Sequence, residues 1–330
     1  MNQNQILAVS GLTVTVKQGN QKLEIIKDIS FSLEKGKILG IVGESGCGKS
    51  MTALAITGLL PETAKISSGA IFFEGQDLVK LATSERRKLL GSTISMIFQE
   101  PMTSLNPLVK VGKQIAEVLY IHNKMKEKTA YPFVIEGMKL AGISEADKLY
   151  HYYPHQLSGG LRQRIMIAMA LVCKPKLLIA DEPTTALDVT VQKEILLQLK
   201  KACQELNTAM LIISHDLGVI SHLCENMAVM YAGKLLEYGK TSMLLTVPKN
   251  EYTKALLASI PTPEQKGKPL RTIPGIVPSA GYIADGCPFA VRCSKATELC
   301  VKKLPLYKEI SPNHYVACHY ADGEDEDYAI

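Results

Sequence analysis

Eight residues constrain this 330-residue chain more than any other feature. Gly43-Glu-Ser-Gly-Cys-Gly-Lys49-Ser50 fits the pattern G-x-x-x-x-G-K-[ST]. The apolar run at residues 37–42 before it has the size of a strand buried on both faces of a sheet, and residues 50–60 after it have helical composition, stopped by Pro61. A triphosphate is surrounded closely only by backbone N–H groups, so side chains must be missing at Gly43, Gly46 and Gly48. The start of the helix adds its dipole. In this context Lys49 is expected to reach the β- and γ-phosphates and the Ser50 hydroxyl to hold Mg²⁺, with Ser45, Cys47 and Met51 completing the cradle. A chance glycine turn is the bland alternative, and the flanking strand and helix count against it.

A second apolar run, residues 177–180, ends in Asp181 and Glu182. One carboxylate at a strand tip can bind Mg²⁺ and its neighbour can polarise an attacking water. Alone, such a pair reads better as a solvated strand end. Further segments carry a resemblance. Leu157-Ser-Gly-Gly-Leu-Arg-Gln-Arg164 is similar to the signature of ATP-binding cassette (ABC) ATPases, with Leu161 where the family usually has Gln. Gln99 matches their Q-loop, Thr185-Ala-Leu-Asp188 their D-loop, and Ser214-His215-Asp216 their switch histidine. The elements occur in family order across residues 1 to about 245.

The resemblance implies an α/β fold of P-loop NTPase type: a mixed-sheet core, an N-terminal antiparallel β subdomain, a helical subdomain at about residues 100–175, and a small C-terminal Cys-bound module. It also implies an ATPase working as a head-to-tail dimer. Lys49 and its loop would grip one ATP, with Mg²⁺ held by Ser50, Gln99 and Asp181. Glu182 would position water and His215 would sense the γ-phosphate. Ser158, Gly159 and Gly160 would meet the ATP of the neighbouring chain. The family's aromatic near the end of the first strand, which stacks on adenine, is missing from Val14-Thr-Val16.

Within the family, Phe98-Gln-Glu-Pro-Met-Thr-Ser-Leu-Asn-Pro107, Tyr153-Pro-His-Gln-Leu-Ser-Gly-Gly160 and Asp181-Glu-Pro-Thr-Thr-Ala-Leu-Asp188 resemble the ATPase subunits of dipeptide/oligopeptide and nickel importers. That likeness implies a second, different ATPase subunit, two membrane permeases, an external solute-binding protein, and peptide as cargo. A nickel or metal-chelate importer is the alternative, and a DNA-maintenance ABC ATPase is the rival from another class. The likeness favours no nucleic-acid partner, and residues 99–107 with the helical insertion are the expected docking surface.

Composition narrows the setting. No run approaches the roughly 20 apolar residues of a membrane-spanning helix, and the start MNQNQILAVS lacks the pattern of a secretory signal. The expected location is peripheral, on the cytoplasmic face of a bacterial cell membrane. A net charge of +5 tolerates nucleotides, nucleic acid or anionic lipid and selects none of them. Residues 1–260 read as the ATPase domain; residues 261–330 read as a proline-rich linker, a four-cysteine module and an acidic tail, 322–327. Cys287, Cys293, Cys300 and Cys318 are separated by five, six and seventeen residues, without the close pairs of structural zinc sites. A [4Fe–4S] cluster is favoured by the likeness to importer subunits, over zinc or metal-free cysteines.

Overall fold

The computed structural model describes residues 4–99, 104–184, 188–260, 272–278 and 285–321. Four expectations therefore lie partly or wholly outside the described residues: the docking segment at 100–103, the D-loop at 185–187, the linker at 261–271 and the acidic tail. The strands are β1 (Gln5–Gln18), β2 (Gln21–Glu34), β3 (Ile38–Val42), β4 (Ala64–Phe73), β5 (Gln76–Asp77), β6 (Ile94–Ile97), β7 (Leu177–Asp181), β8 (Ala209–Ser214), β9 (Asn226–Tyr231), β10 (Lys234–Lys240), β11 (Lys308–Ser311) and β12 (His314–Val316). The chain divides into two compact units, Met1–Leu7 with Ser32–Ile38 and Phe72–Ile213, and Ala8–Phe31 with Leu39–Ile71 and Ser214–Ile330.

In the first unit β6, β7 and β8 run parallel, with Ile94 opposite Leu177 and Leu177 opposite Ala209. All residues of β7 and β8 are buried, which is why they read as unbroken apolar runs without alternation. The helix Gly159–Leu171 packs on β6 and on the helices Val111–Asn123 and Glu127–Leu140. It is buried on nearly every side, through Gln163, Ile165, Met166, Ile167, Ala168, Ala170 and Leu171, as a helix surrounded by others must be. The helix Val189–Leu206 instead buries one stripe, Ile195, Leu196, Leu199, Ala202 and Cys203. Glu127–Leu140 carries Pro132 inside it, where a missing N–H ordinarily marks a helix boundary.

In the second unit β2, β1 and β4 lie in that order in one sheet; a two-residue turn at Gly19 and Asn20 makes β1 and β2 antiparallel neighbours. A second sheet is mixed: β3 pairs parallel with β9, and β9 pairs antiparallel with β10. The C-terminal residues extend this sheet. β12 pairs with β10, Glu237 opposite Val316, and β11 pairs with β12. The expected small Cys-bound module finds no support among the described residues. All eight cysteines are unbridged, and the C-terminal chain is held by strand pairing and by packing of Phe289 against Tyr231 and Tyr252.

One buried polar network fixes that attachment. His314 Nε2 lies 2.8 Å from Glu237 Oε1, and both side chains are essentially inaccessible. Glu237 also accepts hydrogen bonds from the backbone N–H groups of Lys249 and Asn250, at 2.8 and 3.1 Å. Replacing His314 by Ala leaves a buried carboxyl short of a partner, so unfolding stability is expected to fall by about 3 kcal/mol. Urea unfolding of the full chain checks this; a loss below about 0.5 kcal/mol, the level of an ordinary surface change, contradicts it. No helix among the described residues is long and apolar enough to cross a membrane.

Candidate nucleotide site

In the second unit, β3 ends at Val42 and the helix Lys49–Thr57 begins after Gly48, so the loop between them must reverse within a few residues. Steric exclusion explains its glycines. Gly43 has φ +155°, and a Cβ there would run into the Met230 carbonyl oxygen of β9. Gly48 has φ +110°, and a Cβ there would come 2.8 Å from Met230 Cε. The loop is braced from beneath, where the Gly233 N–H donates to the Cys47 carbonyl at 2.9 Å. Lys49 is buried, and its ammonium donates to the Gly43 and Glu44 carbonyls at 2.8 and 3.0 Å, with Cys47 Sγ at 3.8 Å. A cation is therefore seated against a loop that opens a helix N-terminus, a combination that binds anions. Ser45 and Gly46 are exposed, Ser50 and Met51 half-buried. Burial pushes the Cys47 thiol up despite the Lys49 charge, which makes it a neutral packing group.

The first unit holds the acidic pair and the signature. Asp181, buried, ends β7. Glu182 follows with φ +45°, its N–H donating to the Ile213 carbonyl at 3.0 Å. A positive φ at a non-glycine residue stores about 1 kcal/mol or more of backbone strain, held here at a strand tip that aims a carboxylate. Gln99 Nε2 donates to Glu182 Oε2 at 3.1 Å, so two residues 83 apart in sequence, singled out separately, meet. Ser158 caps the helix Gly159–Leu171 by accepting the Leu161 N–H at 3.3 Å. Ser158 and Gly159 are exposed and Gly160 half-buried, so the helix N-terminus opens outward. Gln163, unremarked in the sequence, is buried and donates to the Pro183 carbonyl, tying the signature helix to the segment after Glu182. His215 belongs to the second unit, where it follows β8 and is exposed. Asp216 beside it caps the helix Leu217–Leu223 through the Gly218 N–H at 2.7 Å.

Cys287, Cys293, Cys300 and Cys318 all lie in the second unit. Among the described residues no three His, Cys, Asp or Glu side chains are placed to hold a metal ion. The expected four-thiolate site is thus without support among the described residues. The Cys287 N–H donates to the Cys300 carbonyl at 2.7 Å, and Thr297 Oγ1 donates to Cys300 Sγ at 3.6 Å. Of the nearby histidines, His314 Nε2 bonds Glu237 and His319 Nε2 lies 2.9 Å from the Lys303 carbonyl. Burial, then the neighbouring thiols, push the Cys287 thiol up to about 11. Alkylation needs the thiolate, so labelling of Cys287 in metal-free protein is expected to be slow at pH 7.5 and to rise about tenfold per pH unit up to pH ~10. Peptide mass spectrometry after iodoacetamide pulses reads the rate; a plateau above pH ~9 would contradict the elevated value.

Comparison with known proteins places these geometries in context. Residues 26–185 match a family model described as ABC transporter, and residues 236–300 match one described as the oligopeptide/dipeptide transporter C-terminal region. The chain is 46% identical over 297 residues to the oligopeptide transport ATP-binding protein OppD of Haemophilus influenzae, covering 90% of this chain and 92% of that protein. It is 43% identical over 323 residues to the dipeptide transport ATP-binding protein DppD of Bacillus subtilis, covering 98% and 96%. Among solved structures it is similar to a dimeric ATP-binding cassette in a post-hydrolysis state bound to ADP and Pi, with a TM-score of 0.64, 26% identity, and coverage of 71% of this chain and 98% of that one.

Proposed function

The chain belongs to the ATP-binding, ATP-hydrolysing subunits of oligopeptide and dipeptide ABC importers, and from that premise we propose how its residues divide the work. The observation that carries the assignment is one chain joining the cassette, with the phosphate loop inside it, to the oligopeptide/dipeptide C-terminal region.

Amides of Gly43, Ser45, Gly46, Cys47, Gly48 and Met51, with the Lys49 ammonium, take the β- and γ-phosphates of ATP. The Ser50 hydroxyl, the Asp181 carboxylate and the Gln99 amide are the hard oxygen donors that suit Mg²⁺. These donors would hold Mg²⁺, which would supply positive charge against the phosphoryl group being transferred. Glu182, kept in place by Gln99, accepts the proton side of the attacking water and aims it in line. His215 contacts the γ-phosphate, and Ser158, Gly159 and Gly160 present a helix N-terminus to the ATP of a second ATPase subunit, a different chain of the same kind. The hydrogen bond between Gln99 and Glu182 supports this division, as does the outward opening of the signature helix.

The same proposal places residues 1–260 as the ATPase domain, with a helical subdomain at about 100–175, and 261–330 as its C-terminal extension. The chain works at the cytoplasmic face of the cell membrane with two permease subunits and, across the membrane, a solute-binding protein. A finer assignment, a [4Fe–4S] cluster on Cys287, Cys293, Cys300 and Cys318, requires the thiols to converge from the arrangement described above. Iron analysis of anaerobically purified protein tests it: about four irons per chain supports the cluster, and metal-free protein retires it.

Uptake into vesicles bearing the complete complex tests the function. Labelled dipeptide or oligopeptide is expected to accumulate only with internal ATP. Accumulation of a nickel chelate but no peptide would move the chain to the alternative importer class, and DNA-stimulated ATPase without membrane subunits would remove it from transport.

A further inference from the structure

The roles above leave one residue of the phosphate loop unexplained. Glu44 follows Gly43 directly and puts a negative charge into a loop built for a polyanion. In the second unit that carboxylate has a dedicated partner from the far end of the chain. Arg292 grips it with both ends of its fork, Nη1 donating to Oε2 at 2.7 Å and Nη2 to Oε1 at 3.0 Å, across 248 residues of sequence. The Arg292 side chain is only 4% exposed. Its remaining donors are used as well: Nε to the Pro274 carbonyl at 2.8 Å, Nη2 to the Ile273 carbonyl at 3.2 Å, and Nη1 to Tyr231 Oη at 3.3 Å. All five guanidinium N–H groups thus have acceptors, so the fork has one orientation.

The backbone of Glu44 is pinned too, its N–H donating to Tyr252 Oη at 3.0 Å. Tyr231, Tyr252 and Phe289 pack as tilted and edge-on rings, with centroids 4.6 Å (Tyr231–Tyr252), 5.4 Å (Tyr231–Phe289) and 5.2 Å (Tyr252–Phe289) apart. Phe289 and Arg292 both come from the short segment bounded by Cys287 and Cys293. One stretch of the C-terminal region therefore supplies an apolar wedge behind the loop and a cation on its acidic residue.

We propose that Arg292 is a positioning residue of the ATP site, which neutralises Glu44 and holds it off the phosphates, so that the 287–293 segment sets the affinity of the phosphate loop for MgATP. The inference rests on the reading of that loop as the ATP site. Its physical content is the placement of a charge. Removing one member of a buried ion pair leaves the other uncompensated. Here the orphan would be a carboxylate inside an anion cradle, so the penalty falls on nucleotide binding. A mere tether of the C-terminal region would lose stability and leave nucleotide affinity alone.

The test is the ATPase rate of the purified transporter complex as a function of MgATP concentration. Arg292→Gln is expected to raise KM at least about tenfold with kcat within about threefold of the parent. Arg292→Lys, which keeps the charge but loses the fork, is expected to fall between. Glu44→Gln/Arg292→Gln, in which no charge is left over, is expected to return to within about threefold of the parental KM. The proposal is overturned if Arg292→Gln keeps a KM within about twofold of the parent, or if the double variant is no better than Arg292→Gln. It is also overturned if both fail to assemble while Arg292→Lys matches the parent, since Arg292 would then be an anchor only. Lys49→Ala runs alongside: parental activity in that variant would defeat the ATP-site reading itself, whereas loss of activity there with a normal Arg292→Gln defeats only the role of Arg292.

Discussion

Glu182→Gln is expected to lower the steady-state ATPase rate of the assembled transporter by at least about a hundredfold while MgATP still binds with an affinity within about threefold of the parent. The variant keeps the shape of the side chain and removes the acceptor that orients water and its departing proton. The surroundings of Glu182 motivate this expectation. The strained backbone at φ +45° and the bond from Gln99 at 3.1 Å give this carboxylate one aim. Asp181, one residue earlier, is buried at the end of β7. A nucleotide-binding isotherm beside a phosphate-release assay separates the two parameters. Equal turnover by variant and parent would assign water activation elsewhere.

Lys49→Ala acts earlier, at the phosphates. Its ammonium donates hydrogen bonds to the Gly43 and Glu44 carbonyls at the loop. Removing it strips the loop of its charge, while the glycine geometry set by Met230 stays. Both MgATP affinity and turnover are expected to fall, turnover by about a hundredfold or more. The overall fold is expected to survive, because the adjoining helix keeps its apolar contacts through Ala53, Ala55 and Ile56. Circular dichroism with a MgATP titration distinguishes a folded, non-binding variant from an unfolded one.

Much of the site was legible before any coordinates because its chemistry is local. The phosphate loop, the Asp181–Glu182 pair and the 157–164 signature each sit at a strand tip or helix start announced by its own flanking residues. The apolar runs ending at Val42 and Ala180 became β3 and β7, since strands buried on both faces carry little else. Less was legible where structure depends on distant partners. The helix Thr83–Leu89 has no buried residue, so no stripe marks it. β12 is three residues long and exists because β10 offers an edge.

The cysteine-rich segment is a different case. The clustering of its cysteines suggested a metal-bound module, but the residues between them, Phe289 and Arg292, are the ones that join the core. No local pattern could single out Arg292, whose partner lies 248 residues away. Gln163 was readable only as part of the signature, because its bond to the Pro183 carbonyl is a tertiary contact.

The central claim is that this chain turns ATP binding and hydrolysis into peptide import. Its most direct measurement is phosphate release by the complete complex in liposomes, with and without peptide and solute-binding protein on the external side. The account expects release to rise several-fold, by about two to ten times, when peptide is supplied, and to vanish in the Lys49→Ala complex. An identical rate with and without peptide, or parental activity in the Lys49→Ala complex, would contradict it.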